Sequence, residues 1–184
     1  MGLEGIRVLV LEGYARQCLP VARAFRKLKC KVTLLCNSKS DLGYWSRYPH
    51  HKIVGVCSPK EYLKSEKCIC DLVRSRNYDI VVPLVDFSAE ILSKHKAELS
   101  NYAYIASNDY DVFVAAQDKS NVMRVCMENN LPCPKTLFNI KSAQEILDSG
   151  IKFPLVVKPK RGYGARGFHR FENKEELILE KDNI

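Results

Sequence analysis

Apolar residues in the first 108 positions fall into short continuous runs, separated by segments in which they recur at helical spacing. Such runs are typical of strands buried on both faces, and they predict strands over 6–11, 31–36, 53–56, 79–84 and 102–106. Between the runs, helical spacing after Gly13 and between Ser88 and Glu98 predicts helices. Strands that alternate with helices in this order predict an α/β fold with a Rossmann-like parallel sheet.

Residues 109–184 have a different order of elements and are predicted to form a second domain after a first domain over 1–108. The segment 109–130 is predicted to be a helix that is broken between Gln117 and Ser120, where Asp118 or Ser120 can cap its second piece. The other predicted elements are a strand over 136–138, a helix that ends at Gly150, a hairpin within 153–171 and a helix that starts at Asn173.

Two sequences have the pattern of a capping box, in which a serine and a glutamate three residues later satisfy free amides at the start of a helix. They are Ser58-Pro59-Lys60-Glu61 and Ser142-Ala143-Gln144-Glu145. Each predicts a helix that begins directly after its serine. In the first sequence, Pro59 would occupy the first helical position, where its missing amide hydrogen is tolerated.

The stretch 153–171, FPLVVKPKRGYGARGFHRF, carries the strongest chemical signal. An apolar run ends at Lys158, glycines follow, and alternating residues return, which predicts a strand, a glycine-rich turn and a second strand. Gly162, Gly164 and Gly167 allow backbone amides to approach a ligand closely because they lack Cβ. Five cations accompany them: Lys158, Lys160, Arg161, Arg166 and Arg170. Amides and clustered cations predict a polyphosphate site, and the alternative is an ordinary basic hairpin with a flexible tip.

The carboxyl ends of the predicted parallel strands hold the other candidate residues, because open parallel sheets bind ligands at that edge. Gly13, Arg16 and Asp86 lie there and are candidates for contact with a substrate. For Asp86 the alternative is a carboxylate that caps a turn. A nucleotide site in this domain is not favoured, since its first turn has a single glycine and no acid follows its second strand.

Composition excludes several classes of protein. Apolar residues make up 46% and charged residues 27% of the chain, and no apolar run is long enough to span a bilayer. An acid precedes the first apolar run and no small-residue cleavage site follows it, which argues against a signal peptide. The eight cysteines form no C-x-x-C pair, and we interpret them as reduced thiols of a cytoplasmic protein.

Charge is distributed unevenly along the chain. The formal net charge is +8, and residues 1–108 contain 17 Lys and Arg against 10 Asp and Glu. We interpret this excess as solvated surface scattered along helices, because aromatic residues do not alternate with it as they do in many nucleic-acid-binding proteins. The sequence therefore predicts no nucleic-acid partner and no membrane contact.

Four motifs of the second domain occur in an order that resembles the start of an ATP-grasp domain. They are Asp118-Lys119, the turn Leu131-Pro132-Cys133-Pro134-Lys135-Thr136, the strand Phe153-Pro154-Leu155-Val156-Val157-Lys158-Pro159 and the glycine-rich turn. The first domain resembles the Rossmann-like domain that precedes ATP-grasp in the same enzymes. Ser46-Arg47-Tyr48, and the segment 78–83 followed by Asp86, are similar to carbamoyl-phosphate-synthase-like members and related carboxylate–amine ligases. The resemblance covers essentially the whole chain.

The resemblance implies an ATP-dependent ligase that activates a small carboxylate as an acyl phosphate, which an amine or a similar nucleophile attacks. It implies ATP phosphates bound by lysines and covered by the amides of the glycine-rich turn. The residues that it assigns to nucleotide binding are Lys119, Lys158, Lys160, Gly162, Gly164, Arg166 and Gly167. It also implies Mg²⁺, with ligands expected after Ile184, so that we assign no metal ligand and no catalytic residue within the chain.

On this interpretation the second domain is an incomplete α+β ATP-grasp subdomain, and the chain alone is expected to be inactive. A homodimer is compatible with it. The first alternative is a non-catalytic module that binds nucleotides or anions, or one subunit of a split enzyme. A Rossmann-type oxidoreductase is less favoured, because the acid that binds the ribose of a dinucleotide is missing after the second strand.

Overall fold

The computed structural model describes residues 2–162 and 167–180, and it divides the chain into two compact units. The first unit is Met1–Phe113 and the second is Val114–Ile184. None of the helices in the described part of the chain has both the length and the apolar character needed to cross a membrane.

The first unit is built on a five-stranded sheet in which every pair of neighbouring strands is parallel. The strands are β1 (Arg7–Val10), β2 (Lys31–Cys36), β3 (His51–Val54), β4 (Ile80–Val82) and β5 (Tyr104–Ile105), in the order β3-β2-β1-β4-β5. On the central strand, Val8 lies opposite Val32 on one side and Ile80 on the other. The α/β class and the parallel sheet that the sequence predicts are confirmed.

Helices connect β1 to β2, β3 to β4 and β4 to β5, whereas a loop with a 3₁₀ turn over Leu42–Trp45 joins β2 to β3. The helices of this unit are α1 (Cys18–Lys27), α2 (Tyr62–Arg74), α3 (Asp86–Lys94), α4 (Lys96–Leu99) and the start of α5 (Tyr110–Gln117). The predicted helix over 88–98 is therefore wrong in detail: the chain forms α3 and the short α4, with His95 between them.

The central strand is buried on both faces, which explains its continuous apolar run. Leu9 packs into a cluster with side chains of α2 and α3, whereas Val8 and Val10 pack into a second cluster with Ala22 of α1. Burial of each such side chain stabilises the fold by about 1.5–3 kcal/mol. The two layers of helices hold the carboxyl edge of the sheet in place.

The second unit contains a two-stranded antiparallel hairpin covered by short helices. Its elements are the end of α5, α6 (Lys119–Glu128), α7 (Ala143–Asp148), β6 (Leu155–Val157), β7 (His169–Phe171) and α8 (Lys174–Leu179). The core forms where Leu155 and Phe171 pack with Ile146 and Leu177. Phe168 and Arg170 are exposed, so the two faces of β7 differ as the alternation predicts.

The predicted capping boxes have different outcomes. Ser142 accepts a hydrogen bond from the amide of Glu145 at 3.3 Å, and α7 begins directly after it, as predicted. The prediction at Ser58 is confirmed in part: Ser58 caps a helical turn in which Pro59 is the first residue, but this turn is a 3₁₀ helix before α2, and the amide of Glu61 donates to the Ser58 carbonyl oxygen rather than to its side chain. Ser65 Oγ accepts from the Ser58 amide at 2.9 Å, so the glutamate is not needed there.

The predicted strand over 136–138 is also wrong. These residues have extended sequence preferences, but the only partner strands that the described residues of this unit provide are β6 and β7, which pair with each other. A strand needs a neighbour to satisfy its backbone groups, and this segment lines a groove instead. Thr136 Oγ1 donates to the Pro134 carbonyl oxygen at 2.8 Å, a local bond that replaces pairing.

Candidate functional site

A groove of about 1090 Å³ lies within the second unit. Its walls are the start of α6, the segment 134–140, strand β6 with the residues that follow it, and the start of β7. Five lysines line it: Lys119, Lys135, Lys152, Lys158 and Lys160. Within the ranges 2–162 and 167–180, no carboxylate lies within 4.0 Å of any of these ammonium groups. The groove is therefore cationic and suited to an anionic ligand.

Lys158 and Lys160 stand where β6 ends and the glycine-rich turn begins. Both side chains are exposed. The pKa of the Asp118 carboxyl group is lowered, mainly by the hydrogen bond from the Ser120 amide. The positive charge of Lys160 lowers it further, to a smaller extent. Because β6 is paired with β7, the backbone that carries Lys158 is fixed while its side chain remains free to contact a ligand.

Lys119 has a different environment, because it holds the glycine-rich turn. Its Nζ donates to the Gly162 carbonyl oxygen at 2.9 Å, and its backbone amide donates to the Lys160 carbonyl oxygen at 2.9 Å. Asp118 caps α6 by accepting from the Ser120 amide at 2.8 Å, which fixes the position of Lys119. The structure thus brings three of the residues predicted to bind phosphate together: Lys119, Lys160 and Gly162.

The turn itself uses glycine for its backbone conformation. Gly162 has φ +133° and Gly167 has φ +67°, values that side chains with Cβ rarely adopt. A Cβ at Gly167 would also lie 3.3 Å from the Pro159 ring. Gly164 and Arg166, the other two predicted residues of the turn, lie outside the described residues.

The candidates of the first unit fall into two groups. Arg16 and Asp86 are exposed near the carboxyl edge of the sheet, and Asp86 is the first residue of α3. Gly13 is buried: its amide donates to the Leu35 carbonyl oxygen at 2.7 Å, and a Cβ there would overlap Cys36 Sγ. The structure therefore gives Gly13 a packing role that is sufficient to explain a glycine.

Glu12 is the residue of this edge that the sequence analysis missed. It has no exposed surface, and its backbone adopts φ 56°. Its carboxylate accepts from the Leu84 amide at 2.9 Å and from Cys57 Sγ at 3.4 Å, so it joins the ends of β1 and β4 to the segment after β3. Burial raises the pKa of Glu12, against the opposing effect of hydrogen bonds from Ser88, Leu84 and Cys57.

The position of Glu12 in the sequence could have identified it as a buried acid. A carboxylate that directly follows a buried strand needs hydrogen-bond partners at the edge of the sheet. The Glu12 side chain occupies the point between β1 and β4 where the strand order reverses, which is the usual ligand crevice of such a sheet.

No family model matches the chain. The D-aspartate ligase of Enterococcus faecium (strain Aus0004) is 32% identical to it over an alignment of 114 residues, which covers 58% of this chain and 26% of that protein. The chain thus spans about a quarter of the curated relative that it matches.

Solved structures match nearly the whole chain. N5-carboxyaminoimidazole synthetase from Staphylococcus aureus, complexed with ADP, has a TM-score of 0.69 at 16% identity and covers 100% of this chain and 46% of that one. The biotin carboxylase domain dimer of 2-oxoglutarate carboxylase from Hydrogenobacter thermophilus, in complex with MgADP, ADP and bicarbonate, has a TM-score of 0.67 at 20% identity. This match covers 94% of this chain and 39% of the biotin carboxylase chain. Both are ATP-grasp enzymes. The chain has the fold of the front part of an ATP-grasp enzyme.

The L-amino acid ligase from Bacillus licheniformis, also an ATP-grasp enzyme, matches with a TM-score of 0.60 at 18% identity over 97% of this chain and 42% of that one. The resemblance to ATP-grasp enzymes drawn from the motifs is therefore confirmed for the fold. In each of these structures the match spans less than half of the neighbour.

Proposed function

We propose that the chain is the ATP-binding portion of an ATP-grasp ligase that activates a carboxylate as an acyl phosphate for attack by an amine or a similar nucleophile. The observation that carries this proposal is the cationic groove, in which five lysines without carboxylate partners among the described residues meet a glycine-rich turn. Ligand pockets usually measure about 300–1,000 Å³, so this groove has room for a nucleotide.

ATP would supply the phosphoryl group, and the residues of this chain would hold its phosphates. Lys158 would bind them directly, since it is exposed at the mouth of the turn. Lys119 would act by fixing the turn through Gly162, so that backbone amides face the phosphates. Fixed positive charge of this kind neutralises the charge that develops during phosphoryl transfer.

Mg²⁺ is part of the proposal for the whole enzyme, but the residues that the structure describes include no group of three or more His, Cys, Asp or Glu side chains able to hold a metal ion. We assign Mg²⁺ ligands to none of them. The proposed substrates are a small carboxylate and an amine, and D-aspartate is the first carboxylate to test because a D-aspartate ligase is similar to this chain. The eight free thiols of this chain support the proposal of a cytoplasmic location. A homodimer is a further proposal, which the dimeric biotin carboxylase domain supports.

The Lys158→Ala variant tests the nucleotide site. Loss of a charge-assisted contact with phosphate should weaken ADP binding by about tenfold or more in calorimetric titrations of the protein. Lys141→Ala is the matched control, since Lys141 is an exposed lysine of the same unit that does not line the groove. Equal affinity of the Lys158→Ala variant and the wild type would refute the assignment of Lys158.

The reaction type needs a separate measurement on the protein as its gene encodes it. With ATP, Mg²⁺, hydroxylamine and a panel of carboxylates that includes D-aspartate, an acyl phosphate would be trapped as a hydroxamate with stoichiometric release of ADP. Nucleotide binding without hydroxamate formation from any carboxylate would favour the alternative, a binding module without ligase activity.

A further inference from the structure

Cations of the first unit have different surroundings on the two faces of its sheet. On the face covered by α2, α3 and α4 most of them have a carboxylate partner, at N–O distances of 2.7 to 3.7 Å: Lys64 with Glu61, Lys67 with Asp71, Arg74 with Glu98 and Lys94 with Glu66. Arg76 instead lies over the Tyr102 ring, 4.9 Å from its centre. On the face covered by α1, the side chains of Arg23, Arg26, Lys27 and Arg47 have no carboxylate within 4.0 Å among the residues placed in the structure.

The segment of the sequence that contains α1 and Arg47 has almost no acid. Residues 13–60 include ten Lys and Arg and a single acidic residue, Asp41. Asp41 is held locally, because its carboxylate accepts from the Asn37 amide at 2.6 Å and from Ser38 Oγ at 3.2 Å. The segment 13–60 therefore carries the excess positive charge of the chain, and four of its cations lie without a carboxylate partner among the described residues on the face covered by α1.

Part of this face is a shallow groove of about 330 Å³. The apolar residues of its lining, which are called its floor below, are Leu19, Pro20 and Ala24, and the other lining residues are Arg23, Lys27 and Tyr48. An apolar floor between cations is unusual for a surface that only faces water, because long cationic side chains normally cover such a floor with their own methylene groups.

Aromatic contacts hold the cationic side of the groove in place. The guanidinium carbons of Arg23 and Arg47 lie 5.8 and 5.7 Å from the centre of the Tyr48 ring. Arg26 donates to the Tyr48 carbonyl oxygen at 3.3 Å, which fixes the loop that carries the ring. Arginines ordered in this way lose less conformational entropy when they bind a carboxylate.

The charge and shape of this groove point to one class of partner. We propose that the groove formed by Leu19, Pro20, Arg23, Ala24, Lys27 and Tyr48 docks an acidic peptide segment of a partner protein, with an apolar side chain of that segment on the floor. Arg23, Lys27 and Arg47 bind its carboxylates. Single-stranded nucleic acid fits less well, because Tyr48, the aromatic residue of the groove, is already covered by two guanidinium groups and the floor offers no ring for base stacking.

A charge-reversal experiment tests the electrostatic part of the proposal. The probe is a fluorescein-labelled peptide of glutamates around a central leucine, titrated into the full chain and followed by fluorescence anisotropy. The double variant Arg23→Glu, Lys27→Glu should bind it at least about tenfold more weakly than the wild type. The matched control is Lys64→Glu, Lys67→Glu on α2, which changes the net charge equally on the paired face and should change the affinity less than about twofold. Equal losses in the two variants would overturn the proposal, since only non-specific attraction would remain.

The apolar floor is tested with a second peptide in which serine replaces the central leucine. The leucine peptide should bind the wild type severalfold more tightly than the serine peptide, and Ala24→Leu, which fills the floor at an exposed helix position, should remove that difference. Equal binding of the two peptides to the wild type would contradict an apolar contact. Tighter binding of a single-stranded oligonucleotide of equal charge, lost in the Arg23 and Lys27 variant, would show that the partner is a nucleic acid and refute the proposal.

Discussion

Glu12 combines a carboxylate without exposed surface and a left-handed backbone, and each of these features costs free energy in an ordinary glutamate. Burial raises the pKa of this carboxyl group above its unfolded value. The folded state therefore holds the Glu12 proton more tightly than the unfolded chain does. It follows that this group stabilises the fold most at low pH, and that its contribution falls as pH rises through the folded pKa.

The variant Glu12→Gln should remove this dependence, because the amide keeps the shape of the side chain and does not ionise. We expect the stability of the variant relative to the wild type to increase as pH rises from about 4.5, the range in which the unfolded carboxyl group ionises. Urea unfolding of both proteins at pH 4 and pH 7 measures it, with Glu4→Gln as the control for loss of one exposed carboxylate from the same unit. A stability difference that is the same at both pH values would contradict the raised pKa.

At the level of elements, the start of α6 determines the position of the glycine-rich turn. Lys119 reaches the turn with both its amide and its ammonium group, and the ammonium bond to Gly162 is 2.9 Å long. Lys119→Met removes the second bond and keeps the apolar stem of the side chain. We expect faster hydrogen exchange over residues 158–162 and severalfold weaker ADP binding, because the amides of the turn lose their fixed position.

Lys141→Met is the control for this prediction, since it removes an exposed lysine of the same unit outside the groove. The competing explanation is that Lys119 contacts phosphate directly without ordering the turn. In that case ADP binding would weaken while exchange over 158–162 stayed at the wild-type rate, and the holding role of Lys119 would be wrong.

The sequence predicts elements well where the signal is local, and less well where it depends on distant partners. Strand β2 was predicted over 31–36 and occupies those residues, because its apolar run needs burial on both faces. Asn173 accepts from the Glu176 amide at 3.0 Å and starts α8 as predicted. The prediction of a strand over 136–138 is wrong because strand pairing depends on a neighbouring strand, which the residues of the segment itself do not encode.

The same limit applied to the candidate site. The glycines and lysines between Lys158 and Gly167 lie within ten residues of each other, so the sequence alone predicts that they form one site. Glu12 was missed because its partner Leu84 lies 72 positions away, and the unpaired cations on the face of α1 were interpreted as scattered because pairing with carboxylates is visible only in three dimensions.

At the scale of the whole molecule, the apolar cores of the two units share no residue. The clusters of the first unit lie between Ile6 and Ile105, and the cluster of the second lies between Ile140 and Leu177. Phe171 is 1% exposed and is the largest fully buried side chain in the part of the chain that the structure describes. Its replacement by alanine should cost about 3–5 kcal/mol, a large share of the stability of a unit of this size.

We therefore expect Phe171→Ala to unfold the second unit selectively, because the removed ring belongs to its core alone. Hydrogen exchange followed by mass spectrometry should show lost protection in β6 and α7, and unchanged protection in β1 and β2. Phe168→Ala is the matched control, since Phe168 lies directly before β7 and is 48% exposed, so that its loss should change stability by less than about 1 kcal/mol. Equal loss of protection in β1 and β6 would mean that the two units unfold as one cooperative structure, and separate cores would then not imply separate stability.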